Sequence, residues 1–536
     1  MIDTQSSSKA KSFVTGAGIL AAAGLLGKII AAFYRVWLNT LIGPEGLGLY
    51  AIPYSYYTFL LTISTAGIPT AISRLISQNA AQGNASGAKE VFVVARRVLL
   101  LTGTVTTVLM IALCQPLAAA SGEPDAYLGF ITLAPSLLIV CMLSAYRGYF
   151  QGLQNMKPSA VSQIVEQIGR LAFGFSLAAL WSPKGAAWGA AGAILGVTLC
   201  EAMALAFIFG SYRAANRKTQ IRLERVHFRP VAVRISRIAI PVTIGACIMP
   251  LVSLTDTLTV INRLALIGEE TLGMTPTAMF GILTGMVTSI INMPAVITQS
   301  LSISLVPAMT EVLAGGARER AASIAGTGVK LAILIGLPCA AGISLLADPI
   351  MAFLSPRYSA LEHSVASGLL SAMAFSFLFL AISQTTTGIL QGMGRPMLPV
   401  YALGVGAVFK IVLNFTLIAL PGVNIYGAVI GSIVCYAVAG CMNIWQVVRH
   451  TGMRFEFGML VLRPLCAALT MAATVYLANR LLAPILGATV AMLLCVGLGI
   501  AVYTVMLFVG KAVTAEDLRW IPGGKRLGRL LQKHIC

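Results

Sequence analysis

The sequence predicts an all-α polytopic membrane protein with about fourteen transmembrane helices. Two observations support this fold class. Of the 536 residues, 57% are hydrophobic and only 10% are charged, whereas soluble domains carry about 25% charged residues. Apolar stretches of roughly 20 residues also recur along the whole chain, and each is long enough for a helix to cross the hydrocarbon. Because lipid offers the backbone no hydrogen-bond partner, these stretches are predicted to be helices.

The predicted transmembrane helices are separated by loops whose charges alternate along the chain. Lysines and arginines collect on one side of the membrane, most densely in the loop 213–234 and the tail 511–536. The other side has few of them and carries Glu45, Glu123 and Asp125. Since positive charge marks cytoplasmic loops, we expect both termini in the cytoplasm. The net charge of +19 therefore indicates orientation and contact with anionic membrane lipids rather than binding of nucleic acid.

The fourteen predicted transmembrane spans, in order, are 13–41, 48–74, 93–118, 127–150, 158–182, 186–212, 235–262, 275–308, 321–347, 365–391, 397–420, 424–448, 458–479 and 484–510.

The chain carries the pattern of an internal duplication. The segment Gly148–Leu153 (GYFQGL) ends the fourth predicted helix, and Gly388–Met393 (GILQGM) ends the tenth, 240 positions later. At the same offset, Arg170 corresponds to Lys410. Because six helices is an even number, both copies have the same orientation, which predicts two parallel six-helix lobes related by an axis along the membrane normal.

This repeat predicts five segments. Residues 1–212 form an N-lobe with helices one to six, and residues 213–234 form a basic cytoplasmic linker. Residues 235–450 form a C-lobe with helices seven to twelve. Helices thirteen and fourteen occupy 451–510, and a basic cytoplasmic tail follows at 511–536.

Ionisable residues inside the predicted helices are candidates for function, because each costs roughly 2.5–3.5 kcal/mol to insert. Glu166 and Arg170 are four residues apart on one helix and are expected to pair. A structural ion pair and a ligand-binding role both remain open for them. Arg35 and Arg263 lie near helix ends, where snorkelling to the interface is the alternative. The ionisable residues are Lys28, Arg35, Glu166, Arg170, Glu201, Asp256, Lys330 and Lys410.

The basic members of this set predict an anionic ligand. A cation in a water-filled cavity suits a phosphate or a pyrophosphate. The predicted substrate-binding residues are Lys28, Arg35, Arg170, Lys330 and Lys410. The predicted coupling or structural charges are Glu166, Glu201, Asp256 and Arg263.

Nothing in the sequence predicts a metal, a cofactor or an enzyme. The four histidines are scattered, and most of the ten cysteines lie in apolar segments without a CxxC motif. We therefore expect no metal site and no disulfide framework. The predicted outer loops are short and carry no cluster of carboxylates that could serve a membrane glycosyltransferase.

Three segments resemble a known family. They are Leu41–Tyr50 (LIGPEGLGLY), Gly67–Arg74 (GIPTAISR) and Tyr146–Pro158 (YRGYFQGLQNMKP). They are similar to the polysaccharide-transport branch of the MATE-like (MOP) flippase superfamily, in particular to the stage V sporulation protein B group, relatives of the lipid II flippase MurJ. The resemblance extends over essentially the whole chain. It implies a bacterial cell membrane, a central cationic cavity, a rocking cycle between inward-open and outward-open states, and a groove beside helices thirteen and fourteen for a lipid tail.

The resemblance also implies a function. We expect a flippase that moves a lipid-linked anionic saccharide, such as lipid II, for cell-wall, spore-cortex or surface-polysaccharide synthesis. Lys28 and Arg35 resemble the paired basic residues of the family's first helix, and cell-wall synthesis proteins are candidate partners. The alternatives are a MATE-type cation or drug antiporter, which would need a dominantly acidic cavity, and a scaffold within a cell-wall assembly complex.

Overall fold

The computed structural model describes residues 2–219, 226–454, 456–510 and 512. Within these ranges it does not describe the side chains of 2–23, 25, 28, 29, 32, 218 and 219. The Lys28 side chain, part of the predicted basic linker and all of the predicted tail except Ala512 therefore lie outside the described residues.

The described chain is helical and contains no strand. It divides into two compact units, unit 1 up to Ser289 and unit 2 from Ile290 on. Unit 1 holds α1 (Ile2–Thr65), α2 (Ile68–Ala81), α3 (Ala85–Ala112), α4 (Cys114–Ala120), α5 (Tyr127–Gly152), α6 (Lys157–Gly169), α7 (Phe175–Trp181), α8 (Ala186–Thr219), α9 (Phe228–Ala265), α10 (Glu269–Leu272) and α11 (Pro276–Gly281), and α12 (Thr288–Ala314) begins at its edge. Unit 2 holds the rest of α12, α13 (Arg318–Leu345), α14 (Ala347–Leu354), α15 (Ala360–Gly392), α16 (Met397–Leu417), α17 (Tyr426–Thr451), α18 (Arg463–Leu486) and α19 (Ala488–Val509).

Three short stretches of π-helix interrupt this pattern. They are Arg170–Gly174, Ile282–Val287 and Gly458–Leu462. A π-helix places its hydrogen bonds five residues apart instead of four, which changes the direction of carbonyls and side chains and often marks a functional position. The first two stretches lie in unit 1, next to charged residues that the sequence singled out.

Thirteen described helices are long and apolar enough to cross a membrane, by length and composition. The predicted count of fourteen is not confirmed. The difference arises at the first two predicted spans, because the end of the first (33–41) and the whole of the second (48–74) fall in one candidate of 49 residues, Phe33–Ala81. A straight helix of that length would measure about 74 Å, well beyond a hydrocarbon core of about 30 Å. Inside it, Gly43 leaves the helical conformation with φ 69° and ψ −178°, directly before Pro44.

Helices α9 and α11 pack against α1 in unit 1, and glycine permits the close approach to α11. A β-carbon at Gly281 would lie 2.0 Å from the carbonyl oxygen of Pro44, and one at Gly48 would lie 2.2 Å from that of Thr277. The repeat in the sequence assigns α9 and α11 to the C-lobe, whereas their packing places them in unit 1. The division into lobes of six helices and a final pair stays a prediction.

Candidate functional site

Arg35 is held in unit 1 by neutral groups. Its Nη1 atom donates long hydrogen bonds to the Thr284 carbonyl oxygen at 3.5 Å and to Ser289 Oγ at 3.4 Å. Thr284 belongs to the second π-helical stretch. The guanidinium also lies 5.9 Å from the centre of the Tyr54 ring. In the part of the chain that the structure describes, no carboxylate lies within ion-pair distance of Arg35. Its positive charge is therefore uncompensated by an ion pair, and several of its five N–H donors remain available.

Arg170 and Glu166 form the ion pair that their spacing predicts. Arg170 Nη2 lies 3.7 Å from Glu166 Oε1. The structure adds a second partner, because Arg147 Nη2 donates to Glu166 Oε2 at 3.0 Å. Arg147 also donates from Nε to Ser162 Oγ at 2.9 Å, so it is held more firmly than Arg170. One carboxylate thus serves two guanidinium groups, which leaves a net positive charge on the three residues.

Sequence reasoning missed Arg147, which is not among the predicted binding, coupling or structural charges. Arg147 lies within α5, and its two partners lie on α6. The only signal in the sequence was its place in the segment Tyr146–Pro158, which carries the family resemblance. Its partner 19 positions away could not be identified from periodicity, because that contact depends on how two helices are rotated against each other.

Glu201 lies on α8 and has a neutral partner. Its side chain is only 3% exposed. The Tyr57 hydroxyl donates to its Oε1 atom at 2.9 Å, and Tyr57 in turn accepts a 3.3 Å hydrogen bond from Ser136. The other carboxylate oxygen, Oε2, is buried without a hydrogen-bond partner among the described residues. Buried polar atoms are normally satisfied, so this one marks a place for a proton, water or ligand.

Other polar atoms in unit 1 share this property. Tyr34 Oη, Gln167 Oε1 and Arg170 Nε are all buried without a partner among the described residues. Tyr34 also lines a cavity of about 450 Å³ together with Trp37, Thr40, Leu171 and Phe175. Unsatisfied polar atoms in a helical bundle are costly unless water or a ligand completes their hydrogen bonds. Unit 1 therefore contains a polar interior that is suited to a hydrophilic ligand.

Two of the predicted cations lie in unit 2. Lys330 on α13 is 5% exposed, and Lys410 on α16 is 7% exposed. Both take part in polar or electrostatic interactions within the protein. Lys410 lies against Gly431, where a β-carbon would lie 3.2 Å from Lys410 Cγ and 2.5 Å from Asn414 Oδ1. These lysines are therefore held at fixed positions in the interior of unit 2.

The remaining candidates keep the status of predictions. Asp256 and Arg263 lie on α9 in unit 1, are partly buried and have interaction partners. The backbone of Lys28 lies in α1, seven residues before Arg35. Of the five predicted substrate-binding residues, the structure thus places two described side chains in unit 1 and two in unit 2.

Known proteins resemble this chain over most of its length. Residues 13–313 match the family described as polysaccharide biosynthesis protein, and residues 241–416 match the family described as MatE. Stage V sporulation protein B of Bacillus subtilis (strain 168) is 26% identical over 541 residues, covering 97% of this chain and 99% of that protein. Lipid II flippase MurJ of the same organism is 24% identical over 477 residues, covering 84% of each.

A solved structure shows the same fold. The lipid II flippase MurJ in an inward closed conformation superimposes with a TM-score of 0.69 and 13% sequence identity, covering 91% of this chain and 98% of that one. The resemblance inferred from the segments around Gly43, Gly67 and Gly148 is confirmed. The chain is an integral membrane protein with this fold, and it belongs to the polysaccharide biosynthesis protein family.

Proposed function

We propose that the protein is a flippase that moves a lipid-linked anionic saccharide from the inner to the outer leaflet by alternating access. Its cargo is lipid II or a similar polyprenyl-pyrophosphate oligosaccharide, used for cell-wall, spore-cortex or surface-polysaccharide synthesis. The observation that carries the proposal is the environment of Arg35, whose charge is met by a carbonyl, a hydroxyl and an aromatic ring. In the proposed orientation both termini face the cytoplasm.

The charge balance in unit 1 favours an anion over a cation. A guanidinium binds phosphate through parallel N–H donors in a planar fork, and this geometry is strongest where water is excluded. Arg35 offers such a fork, and Arg170 shares its only ion-pair partner among the described residues with Arg147. A cation or drug antiporter would require acidic groups free to bind the cation, and Glu166 is already engaged by both arginines.

An apolar cavity in unit 2 is suited to the lipid portion of the cargo. It has a volume of about 320 Å³ and lies among α13, α14, α18 and α19. Leu346, Met471, Val475 and Tyr503 are among its lining residues. The Tyr503 hydroxyl donates to the Leu334 carbonyl oxygen at 3.0 Å, so the ring presents an apolar surface to the cavity. A polyprenyl chain lying there would stay in an apolar environment while its head group moved.

The relatives support the same class of cargo. One is named for the flipping of lipid II and another for a stage of sporulation. The proposed cargo joins a saccharide head group to a hydrocarbon tail. The predicted substrate-binding residues stay part of this proposal: Lys28, Arg35 and Arg170 belong to unit 1, and Lys330 and Lys410 belong to unit 2.

Reconstitution into proteoliposomes containing fluorescent lipid II tests this function. Transfer to the outer leaflet is expected with the wild-type protein and is expected to fall at least about tenfold with Arg35→Ala, the loss of roughly one charge-assisted hydrogen bond. Arg35→Lys keeps the charge without the planar fork and is expected to lie between the two. Failure of the folded wild-type protein to move any polyprenyl-pyrophosphate saccharide would exclude the proposal.

A further inference from the structure

Two carboxylates in the polar interior of unit 1, Glu166 and Glu201, differ in whether their partners are charged or neutral. Glu166 receives an arginine on each of its oxygens, at 3.0 Å and 3.7 Å. Glu201 receives one neutral hydroxyl on Oε1, and its Oε2 atom has no hydrogen-bond partner in the part of the chain that the structure describes. The Glu166 side chain is 15% exposed and Glu201 is 3% exposed, and among the described residues only Glu166 of the two has cations in direct contact. The negative charge of Glu166 is therefore stabilised and that of Glu201 is not.

Helix packing brings Glu201 close to Arg170. The end of α6 crosses α8 at Gly169, where a β-carbon would lie 2.8 Å from Cβ of Cys200. Arg170 directly follows Gly169, and Glu201 directly follows Cys200. The charged groups that act on Glu201 come from three neighbouring elements, with Glu166 on α6, Arg170 in the π-helical stretch and Arg147 on α5. Helix α1 contributes Tyr57, Cys200 lies next to Glu201 on α8, and α7 carries no titratable side chain.

The free energy of burial decides whether Glu201 is ionised or protonated. An ionised carboxylate without a cation in contact is far more costly to bury than a neutral acid, whose cost is that of one polar hydroxyl. The 2.9 Å hydrogen bond from Tyr57 is compatible with both forms, because it is accepted by Oε1. A proton on Oε2 would occupy the oxygen that the structure leaves without a partner.

We infer that Glu201 is a proton-binding site, and that a proton on Glu201 and an anion at Arg170 bind together. The inference rests on the proposed function for the identity of the anion. Protonation removes a negative charge near Arg170, which leaves the two arginines with Glu166 as their only ion-pair partner among the described residues. An anionic head group is then attracted more strongly. By reciprocity the bound anion strengthens proton binding at Glu201 by the same factor.

The sign of this coupling distinguishes binding of a proton together with an anion from exchange of a proton for a cation. One proton taken up with one anion makes the apparent affinity for the anion fall by up to about tenfold for each unit of rising pH above the titration of Glu201. An exchanger of protons for cationic drugs would show the opposite sign, because protonation would then compete with the ligand. The coupling also makes release of the head group easier wherever Glu201 loses its proton.

Infrared difference spectroscopy of the purified wild-type protein in lipid tests the proton site without any cargo. The C=O stretching band of a buried protonated carboxylic acid is expected in the wild type and is expected to disappear as pH is raised. Glu201→Gln should lack this band, and Glu319→Gln, which changes an exposed carboxylate on α13, should retain it. A carboxylic-acid absorption that is identical in the wild type and in folded Glu201→Gln at every pH, or the absence of this absorption from the wild type at every pH, overturns the inference.

Transport measurements then test the coupling. In the lipid II assay the wild-type rate is expected to fall as pH rises, whereas Glu201→Gln should be independent of pH and should retain folding, since its amide oxygen can still accept from Tyr57. A pH dependence in Glu201→Gln equal to that of the wild type overturns the coupling. The two proposals fail separately, because the infrared band is read without lipid II and a missing flipping activity does not affect it.

Discussion

Arg147 donates a 3.0 Å hydrogen bond to Glu166 and thereby joins α5 to α6 inside unit 1. This contact is shorter than the 3.7 Å ion pair between Glu166 and Arg170, although the latter two are only four residues apart in sequence. Arg147 thus holds the carboxylate, and Arg170 approaches it from the other side. The consequence is that Arg170 can gain a second anion without first losing a strong partner.

Replacing Arg147 is expected to destabilise the protein. Arg147→Ala removes the hydrogen bonds to Glu166 and Ser162 and leaves Glu166 with Arg170 alone. The expected loss is about 1.5–3 kcal/mol of unfolding free energy, typical of a hydrogen bond to a charged group. A double-mutant cycle with Glu166→Gln, followed by thermal unfolding in detergent, measures the coupling between the two side chains. Independent, additive effects would show that the pair does not stabilise unit 1.

A methyl group at Gly281 is expected to disrupt the packing of α11 on α1. Gly281→Ala places a β-carbon about 2 Å from the Pro44 carbonyl oxygen, which forces one helix to shift at a cost of about 1–3 kcal/mol. The measurement is the midpoint of thermal unfolding together with the yield of monodisperse protein. Gly210→Ala on α8 is the matched control, because its β-carbon meets nothing within 4 Å. Equal behaviour of the two variants would argue against the close contact.

Filling the apolar cavity of unit 2 is expected to impair binding of a lipid tail. Gly342 lines the cavity, and a β-carbon there meets nothing within 4 Å, so Gly342→Leu extends into open space. Flipping of lipid II should then fall by about tenfold, the equivalent of about 1.4 kcal/mol of tail binding. Gly210→Leu has comparable room but does not line this cavity and should leave the rate unchanged. An unimpaired rate in folded Gly342→Leu would show that the tail lies elsewhere.

Glu123 is expected to make stability depend on pH. Partial burial raises the pKa of Glu123 above its ordinary value of 4.5, as do the nearby carboxylates of Asp125 and Glu45, while a hydrogen bond from Thr277 opposes the shift. A raised pKa means that the folded protein holds this proton more tightly than the unfolded chain. The stability from this group is therefore fully present below about pH 4.5 and is lost as pH rises through the folded-state pKa.

The variant Glu123→Gln isolates this effect. Its thermal midpoint minus that of the wild type should increase as the pH rises from 4.5 towards neutrality, because the variant has no carboxylate to ionise. Glu319→Gln, at an exposed position, should show no such trend. A difference between Glu123→Gln and the wild type that stays constant over this range would show that Glu123 titrates normally.

Some side-chain contacts follow from local sequence and others do not. The pairing of Glu166 with Arg170 was predictable, because residues four apart lie on the same face of a helix. The partners of Arg35 are 249 and 254 positions away, and Tyr57 is 144 positions from Glu201. Contacts of this kind depend on which helices are neighbours and on how each helix is rotated about its axis. The hydropathy pattern of the sequence specifies neither the neighbours nor the rotation.

The sequence by itself determined the fold class, the family and most of the candidate charges within the helices, because insertion into lipid imposes a local pattern of long apolar segments in which a charge is conspicuous. Only the tertiary structure decided which charges are compensated. It gave Glu166 two arginines, placed neutral acceptors next to Arg35 and left one oxygen of Glu201 without a partner among the described residues. The physical reason is that the energy of a buried charge depends on the few atoms that touch it, and helix packing brings those atoms from distant parts of the chain.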